Sequence, residues 1–149
     1  MDWTKDRSID LSLVCVALFA AVLLALDIGC YWIAAWFVQW KFSHWQSGVL
    51  LMVTVYTGSV LAWLCLWQLW RLLRAIRAGA VFTAENVRRM RAISWCCIGA
   101  AIISAASALY YLPFVFVAAA AGFMALIVRI VKNSFEQAVC MKDELDLTV

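Results

Sequence analysis

Four stretches of this chain are too long and too apolar to belong to a water-soluble domain. Leu11–Val38, Val49–Trp70, Ala92–Tyr111 and Leu112–Val131 each supply the ~20 mostly apolar residues that a helix needs to cross hydrocarbon. The first is broken by Asp27, and the last carries Arg129 near its end. Composition agrees: 67% of the 149 residues are apolar, mean hydropathy is +0.92 and only 14% are charged, where soluble domains have about 25%. The expected fold class is all-α: a polytopic membrane protein with four transmembrane helices in an up-down bundle, one domain over residues 1–149. The spans are placed at about 11–38, 49–78, 84–111 and 113–131, followed by a tail over 132–149. The first segment is too long for a signal-peptide core and is expected to stay as an anchor.

Orientation is read from lysine and arginine. The connection between spans two and three holds Arg71, Arg74, Arg77, Arg88, Arg89 and Arg91. Lys5 and Arg7 precede the first span, while Arg129, Lys132 and Lys142 cluster around the end of the fourth. On the opposite side only Lys41 appears, and nothing basic lies near "LYYLP". Both termini and the arginine-rich connection are therefore expected in the cytoplasm of a cell with an inner membrane. Tyr31, Trp32, Trp36, Trp40, Trp45, Tyr110 and Tyr111 fall at one interface and Trp67, Trp70 and Trp95 near the other. On this topology most of the six cysteines sit where thiols stay reduced, so they are read as small apolar filler rather than disulfides or zinc ligands.

One run, "RAGAVFTAENVRRMRAIS", is wet in a chain that is otherwise oil. Helical character continues past Trp70 until Gly79, which suits a left-handed cap. Thr83 then supplies an N-cap, Glu85 an acid in the first turn, and Phe82 with Val87 a hydrophobic staple. The expected shape is the tip of a helical hairpin that projects into the cytoplasm. Its six arginines against Glu85 fit the positive-inside rule and anionic headgroups. They also fit an acidic partner. One candidate is the tail, "VKNSFEQAVCMKDELDLTV", with Val131, Phe135, Ala138, Met141 and Leu145 on one stripe and Glu136, Asp143, Glu144 and Asp146 elsewhere. Tail and tip are expected to pack together or to compete for one partner.

Within the bilayer, small residues recur every four positions in spans three and four: Ala100, Ser104 and Ala108; Ala118 and Gly122; Ala121 and Ala125. This spacing predicts a tight helical hairpin, with Pro113 in the first turn of span four. Spans one and two carry bulk, with Tyr56, Trp63, Trp67 and Trp70 along one face. Asp27 is the candidate intramembrane polar site, because an acid inside a span costs ~2.5–3.5 kcal/mol on insertion scales. Its expected partners are Gln68 and the hydroxyls of Tyr56, Thr57, Ser59, Ser104 and Ser107. The plain reading is an interhelical hydrogen bond; the sharper one is a proton or cation site.

Two motifs, "AGAVFTAENVRRMRAISW" and "GFMALIVRIVKNSFEQAVCMKDELDLTV", together with the four spans, make the chain resemble the bacterial family known as domain of unknown function 2975. The resemblance implies a small four-helix membrane protein and no assigned reaction, ligand or active site. It also implies a regulatory pairing, since a small helix-turn-helix regulator of the Cro/CI type is a frequent genomic neighbour in that family.

The functional expectation is a regulatory or scaffolding membrane protein. Its basic tip (Arg71, Arg74, Arg77, Arg88, Arg89, Arg91) and acidic tail (Glu136, Asp143, Glu144, Asp146) meet lipid or a soluble partner such as a helix-turn-helix regulator. A homo-oligomer is compatible with this reading. The alternative is a small oligomeric transporter or channel that uses Asp27. An enzyme is not expected, because a single histidine, His44, leaves no Ser/His/Asp set, and no phosphate loop or metal cluster is present. No cofactor is expected, and bis-histidine haem ligation within one protomer is impossible. Direct nucleic-acid binding is not expected either, since headgroups compete for the same arginines.

Overall fold

Backbone amides in hydrocarbon have no water to bond, so a chain this apolar must satisfy them within helices. The computed structural model does so with α1 (Trp3–Lys41), α2 (Trp45–Arg77), α3 (Ala84–Ser107) and α4 (Phe114–Leu147). It describes the backbone of residues 3–41, 45–79 and 81–147, and the side chains of these except 3–6, 37–41, 45–47, 143, 146 and 147. Asp143 and Asp146 of the acidic tail, and Lys5, Trp40, Lys41, His44 and Trp45 of the sequence reading, thus have side chains outside the described residues. All four helices are long and apolar enough to cross a membrane.

Neighbouring helices run antiparallel. Asp10 and Asp27 of α1 meet Arg77 and Ser59 of α2, respectively. Thr54 of α2 meets Ser107 of α3, whose Ser94 donates to the Ala125 carbonyl of α4. The start of α1, the α2–α3 elbow and the end of α4 therefore share one end of the molecule. Close backbone approach occurs only between helices adjacent in sequence, among the described residues. The expected bundle is consequently an open row, α1 against α2, α2 against α3, α3 against α4. Most large apolar side chains are exposed, Leu18, Phe19, Trp32, Phe116 and Ile130 among them. Lipid suits such surface, because hydrocarbon exerts no hydrophobic drive to hide it.

The buried core lies at the arginine-rich end. Leu72, Met90 and Ile93 form its centre, and Cys65, Leu69, Ile76, Cys97, Val128 and Phe135 pack around them. At the opposite end a chain of hydroxyls ties α2 to α3. Tyr110 Oη donates to Thr54 Oγ1 at 2.9 Å, and Thr54 Oγ1 lies 2.9 Å from Ser107 Oγ. The third helix stops at Ser107, short of the expected Tyr111, and residues 108–113 turn through short-range bonds such as Tyr111 N to Ser107 O. Pro113 falls just before the first residue of α4, where a missing N–H costs nothing. All six cysteines are free thiols.

The elbow is built from its caps outward. Gly79 takes φ of +80°, and its amide bonds the Ile76 carbonyl, closing α2. Thr83 is extended and its side chain accepts from Asn86 N, opening α3. Asn86 itself is fully buried. Its Nδ2 donates to the Val81 carbonyl at 3.0 Å, and its Oδ1 accepts from Arg89 Nη1 at 3.2 Å. The same Nη1 donates to the Arg71 carbonyl, so the first turn of α3 is stitched to the last turns of α2.

Burying an amide is costly unless all its partners stay in place, so Asn86→Ala should lower stability by ~1–3 kcal/mol. Arg88→Ala, on the exposed side of the same turn, should change it by less than about 0.5 kcal/mol. Unfolding in detergent micelles measures both, and equal effects would contradict a structural hub at Asn86.

Candidate functional site

The sequence singles out the arginine elbow with the tail, and Asp27. The structure places them at different depths. At the elbow, Arg71, Arg74, Arg77, Arg88 and Arg91 are exposed. Arg89 is not: its side chain is only 14% exposed, since it is spent on Asn86, the Arg71 carbonyl and Glu85. The Glu85 contact is an ion pair at 3.4 Å, with no hydrogen bond formed at Nε among the described residues. Among the candidate partner or lipid contacts, Arg89 is thus the one turned inward, bridging α3 to α2.

The exposed arginines differ in their surroundings. Arg77 Nη1 pairs with Asp10 Oδ1 at 3.0 Å, anchoring α1 to the elbow. Arg74 lies 5.8 Å above the Trp70 ring, a cation–π distance. Arg91 Nη2 lies 3.5 Å from Glu136 Oε1, which joins α3 to α4. Tail and tip thus meet through Glu136 and also through Phe135, whose ring centroid is 5.5 Å from that of Phe82. Lys132 Nζ completes the group at 2.9 Å from Glu136 Oε2. Bonding and charge from Lys132 hold the Glu136 carboxyl below the ordinary range; Arg91 adds a smaller pull.

Beyond Glu136, α4 runs on to Leu147. Met141 and Leu145 of the apolar stripe are 58% and 68% exposed there, alongside exposed Glu144. At 1.5 Å per residue this last stretch is ~16 Å long. The first half of the tail is therefore docked on the tip through Phe135 and Glu136, and the second half keeps Met141 and Leu145 exposed.

Asp27 lies in the α1–α2 seam. Its Oδ2 accepts from Ser59 Oγ at 2.7 Å and from Trp63 Nε1 at 3.0 Å. Indole N–H only donates, so Oδ2 is an acceptor in both contacts. Oδ1 is enclosed with no hydrogen-bond partner, among the described residues. Of the expected partners, only Ser59 reaches it. Trp63 belongs by sequence to the bulky face of span two, and its position four residues after Ser59, on the same face, is the signal that it can join Ser59 at Asp27. A cleft of about 360 Å³ adjoins this tryptophan, lined by Val16, Ala17, Ala20, Leu66, Trp67 and Trp70.

Two further features lay outside the sequence reading. Arg129, Lys132, Ser94 and Trp95 join Arg91 around a small cavity between α3 and α4. The small-residue helices α3 and α4 make the most extensive helix–helix contact of the row, with Ser104 and Ala125 buried in it, and an open cleft of about 380 Å³ bordered by Ala101, Ala105, Ala118 and Gly122 runs along the same seam.

A family model described as "Protein of unknown function (DUF2975)" matches residues 31–149, from late α1 to the end of the chain. No curated protein and no solved structure gives a match.

The Asp27 seam makes a signed prediction. Interhelical hydrogen bonds in membranes average ~0.6 kcal/mol and reach ~1.7 kcal/mol. A double-mutant cycle of Asp27→Ala and Trp63→Phe, read by unfolding in micelles, should give a coupling in that range. Simple additivity would show that the Oδ2 bond does not hold α1 to α2.

Proposed function

Since the chain belongs to the DUF2975 family, for which no activity is assigned, we propose that it is a non-enzymatic regulatory or scaffolding membrane protein. In this reading the elbow and the end of α4 form a cytoplasmic platform for a soluble, acidic-surfaced partner. The multi-pass membrane character rests on four spanning-length apolar helices. The inner membrane as location and the cytoplasmic placement of both termini belong to the proposal, supported by the arginine distribution.

One observation carries the reading. The Asn86–Arg89 hub holds the exposed cations Arg71, Arg74 and Arg88 at the end of the molecule where α4 finishes with Met141 and Leu145 exposed. A basic patch next to an apolar helical stripe suits a partner that offers acidic side chains around a hydrophobic groove. The helix-turn-helix regulator suggested by family resemblance is the first partner to test. The transport alternative draws less support, because Asp27 Oδ2 is already engaged by Ser59 and Trp63.

With photocrosslinkers placed at Arg88 and at Met141 in native membranes, one and the same soluble protein should be captured from both positions. Arg88→Glu should reduce capture from Met141 by tenfold or more, and truncation after Lys132 should abolish capture from Arg88. Capture of unrelated proteins at the two positions, or of lipid alone, would contradict a shared platform.

A further inference from the structure

The α3–α4 seam at the arginine-rich end holds more positive charge than the fold uses. Arg91, Arg129 and Lys132 line one cavity of about 120 Å³, together with Ser94, Trp95 and Ile98. A single acid, Glu136, answers two of these cations, Arg91 at 3.5 Å and Lys132 at 2.9 Å. Arg129 has no ion pair or hydrogen bond among the described residues. It sits one turn further toward the hydrocarbon than Lys132, where an uncompensated guanidinium is costly. Lys132 is itself only 14% exposed, so its charge is held in place and is not a free surface arm.

The cavity does not end in protein. Ile98 and Arg129 also line the neighbouring cleft of about 380 Å³, so the charged chamber opens into an apolar one. That cleft runs along α3 from Ile98 to Ala105, ~10 Å at helical rise, between apolar walls of alanine, isoleucine, leucine and glycine. At Gly122 an added Cβ would meet nothing within 4 Å, so the glycine borders open space rather than a tight helix contact. Trp95, 67% exposed at the chamber's edge, is a residue type that favours the headgroup level.

We propose that this seam is a binding site for one anionic phospholipid, its phosphate held by Arg91, Arg129 and Lys132 and one acyl chain laid along the Gly122 cleft. Planar guanidinium groups suit two phosphate oxygens at once, and the lysine adds a compact charge. The apolar continuation selects a lipid over a free anion, and the charge selects an anionic head over a zwitterionic one. Glu136 competes with the phosphate for Arg91 and Lys132, so it weakens lipid binding and couples it to the docked half of the tail. This inference goes beyond the docking platform and does not rest on it.

The test is intact-mass spectrometry of the detergent-purified full chain, titrated with phosphatidylglycerol, with phosphatidylcholine of the same acyl chains, or with inorganic phosphate. One phosphatidylglycerol per chain should be retained at least tenfold better than phosphatidylcholine. Arg129→Gln should weaken retention tenfold or more, and Lys142→Gln, an equal charge loss on the tail, should leave it unchanged. Gly122→Leu fills the cleft without touching the cations and should weaken phosphatidylglycerol about as much; Glu136→Gln should strengthen it. Circular dichroism checks that each variant keeps its helices, and the Gly122 and Glu136 variants decide the matter if Arg129→Gln fails to fold. Equal retention of the two lipids, or loss in Lys142→Gln matching that in Arg129→Gln, would overturn the site. So would inorganic phosphate binding that is indifferent to Gly122→Leu, or a dimer that Gly122→Leu dissociates, the latter assigning the cleft to a second copy of the chain.

Discussion

Hydrocarbon forbids an unpaired backbone amide, and this chain obeys by remaining helical through each of its four spanning-length segments. It can turn only where polar side chains or water take over the bonds that a helix end releases. At the arginine-rich elbow that task falls to Gly79, Thr83 and the buried Asn86. Asn86 answers the Val81 carbonyl and orients Arg89, and Arg89 in turn answers a carbonyl of α2. The register of α3 against α2 depends on this knot. So does the core of Leu72, Met90 and Ile93 that packs directly beneath it.

The rest of the molecule is loosely self-supporting. Helices touch in sequence order only, among the described residues, and the outer faces of α1 and α4 have no protein neighbour. Polar pins appear at intervals along the row: Asp27 with Ser59 and Trp63, Thr54 with Ser107 and Tyr110, Ser94 with the Ala125 carbonyl. Each replaces a contact that hydrophobic drive would supply in water. A row built this way leaves clefts between helices, and those clefts are where lipid meets the fold most closely.

Much of this was legible in the sequence, and the rest was not, for definable reasons. Four spans, the Gly79 turn and the Thr83 cap are local properties, set by window hydropathy and by neighbours a few residues away. The importance of Asn86 is partly local. It occupies the third position after the Thr83 cap, where a capping box places Glu or Gln, and that placement was a usable signal. Arg89 could not be separated from Arg88 by sequence, because only the packing of α2 decides which of the two turns inward. Asp27 was conspicuous as an acid in a span, yet its indole partner was hidden among tryptophans that look alike. Small residues at four-residue spacing point to the close α3–α4 contact that Ser104 and Ala125 make, but the same spacing at Ala118 and Gly122 borders a cleft. Spacing states what contact is permitted, not whether it is made.

The functional account depends on the elbow and the end of α4 facing one aqueous compartment, opposite the α3–α4 turn. Thiol accessibility addresses this most directly, in a background that retains either Cys140 alone or a single Leu109→Cys, on the turn where Leu109 is 92% exposed. A membrane-impermeant maleimide added to intact cells should label Leu109→Cys and spare Cys140, with the pattern reversed in inverted vesicles. Labelling of Cys140 from outside intact cells would place the platform on the wrong side of the membrane and remove the basis for a cytoplasmic partner.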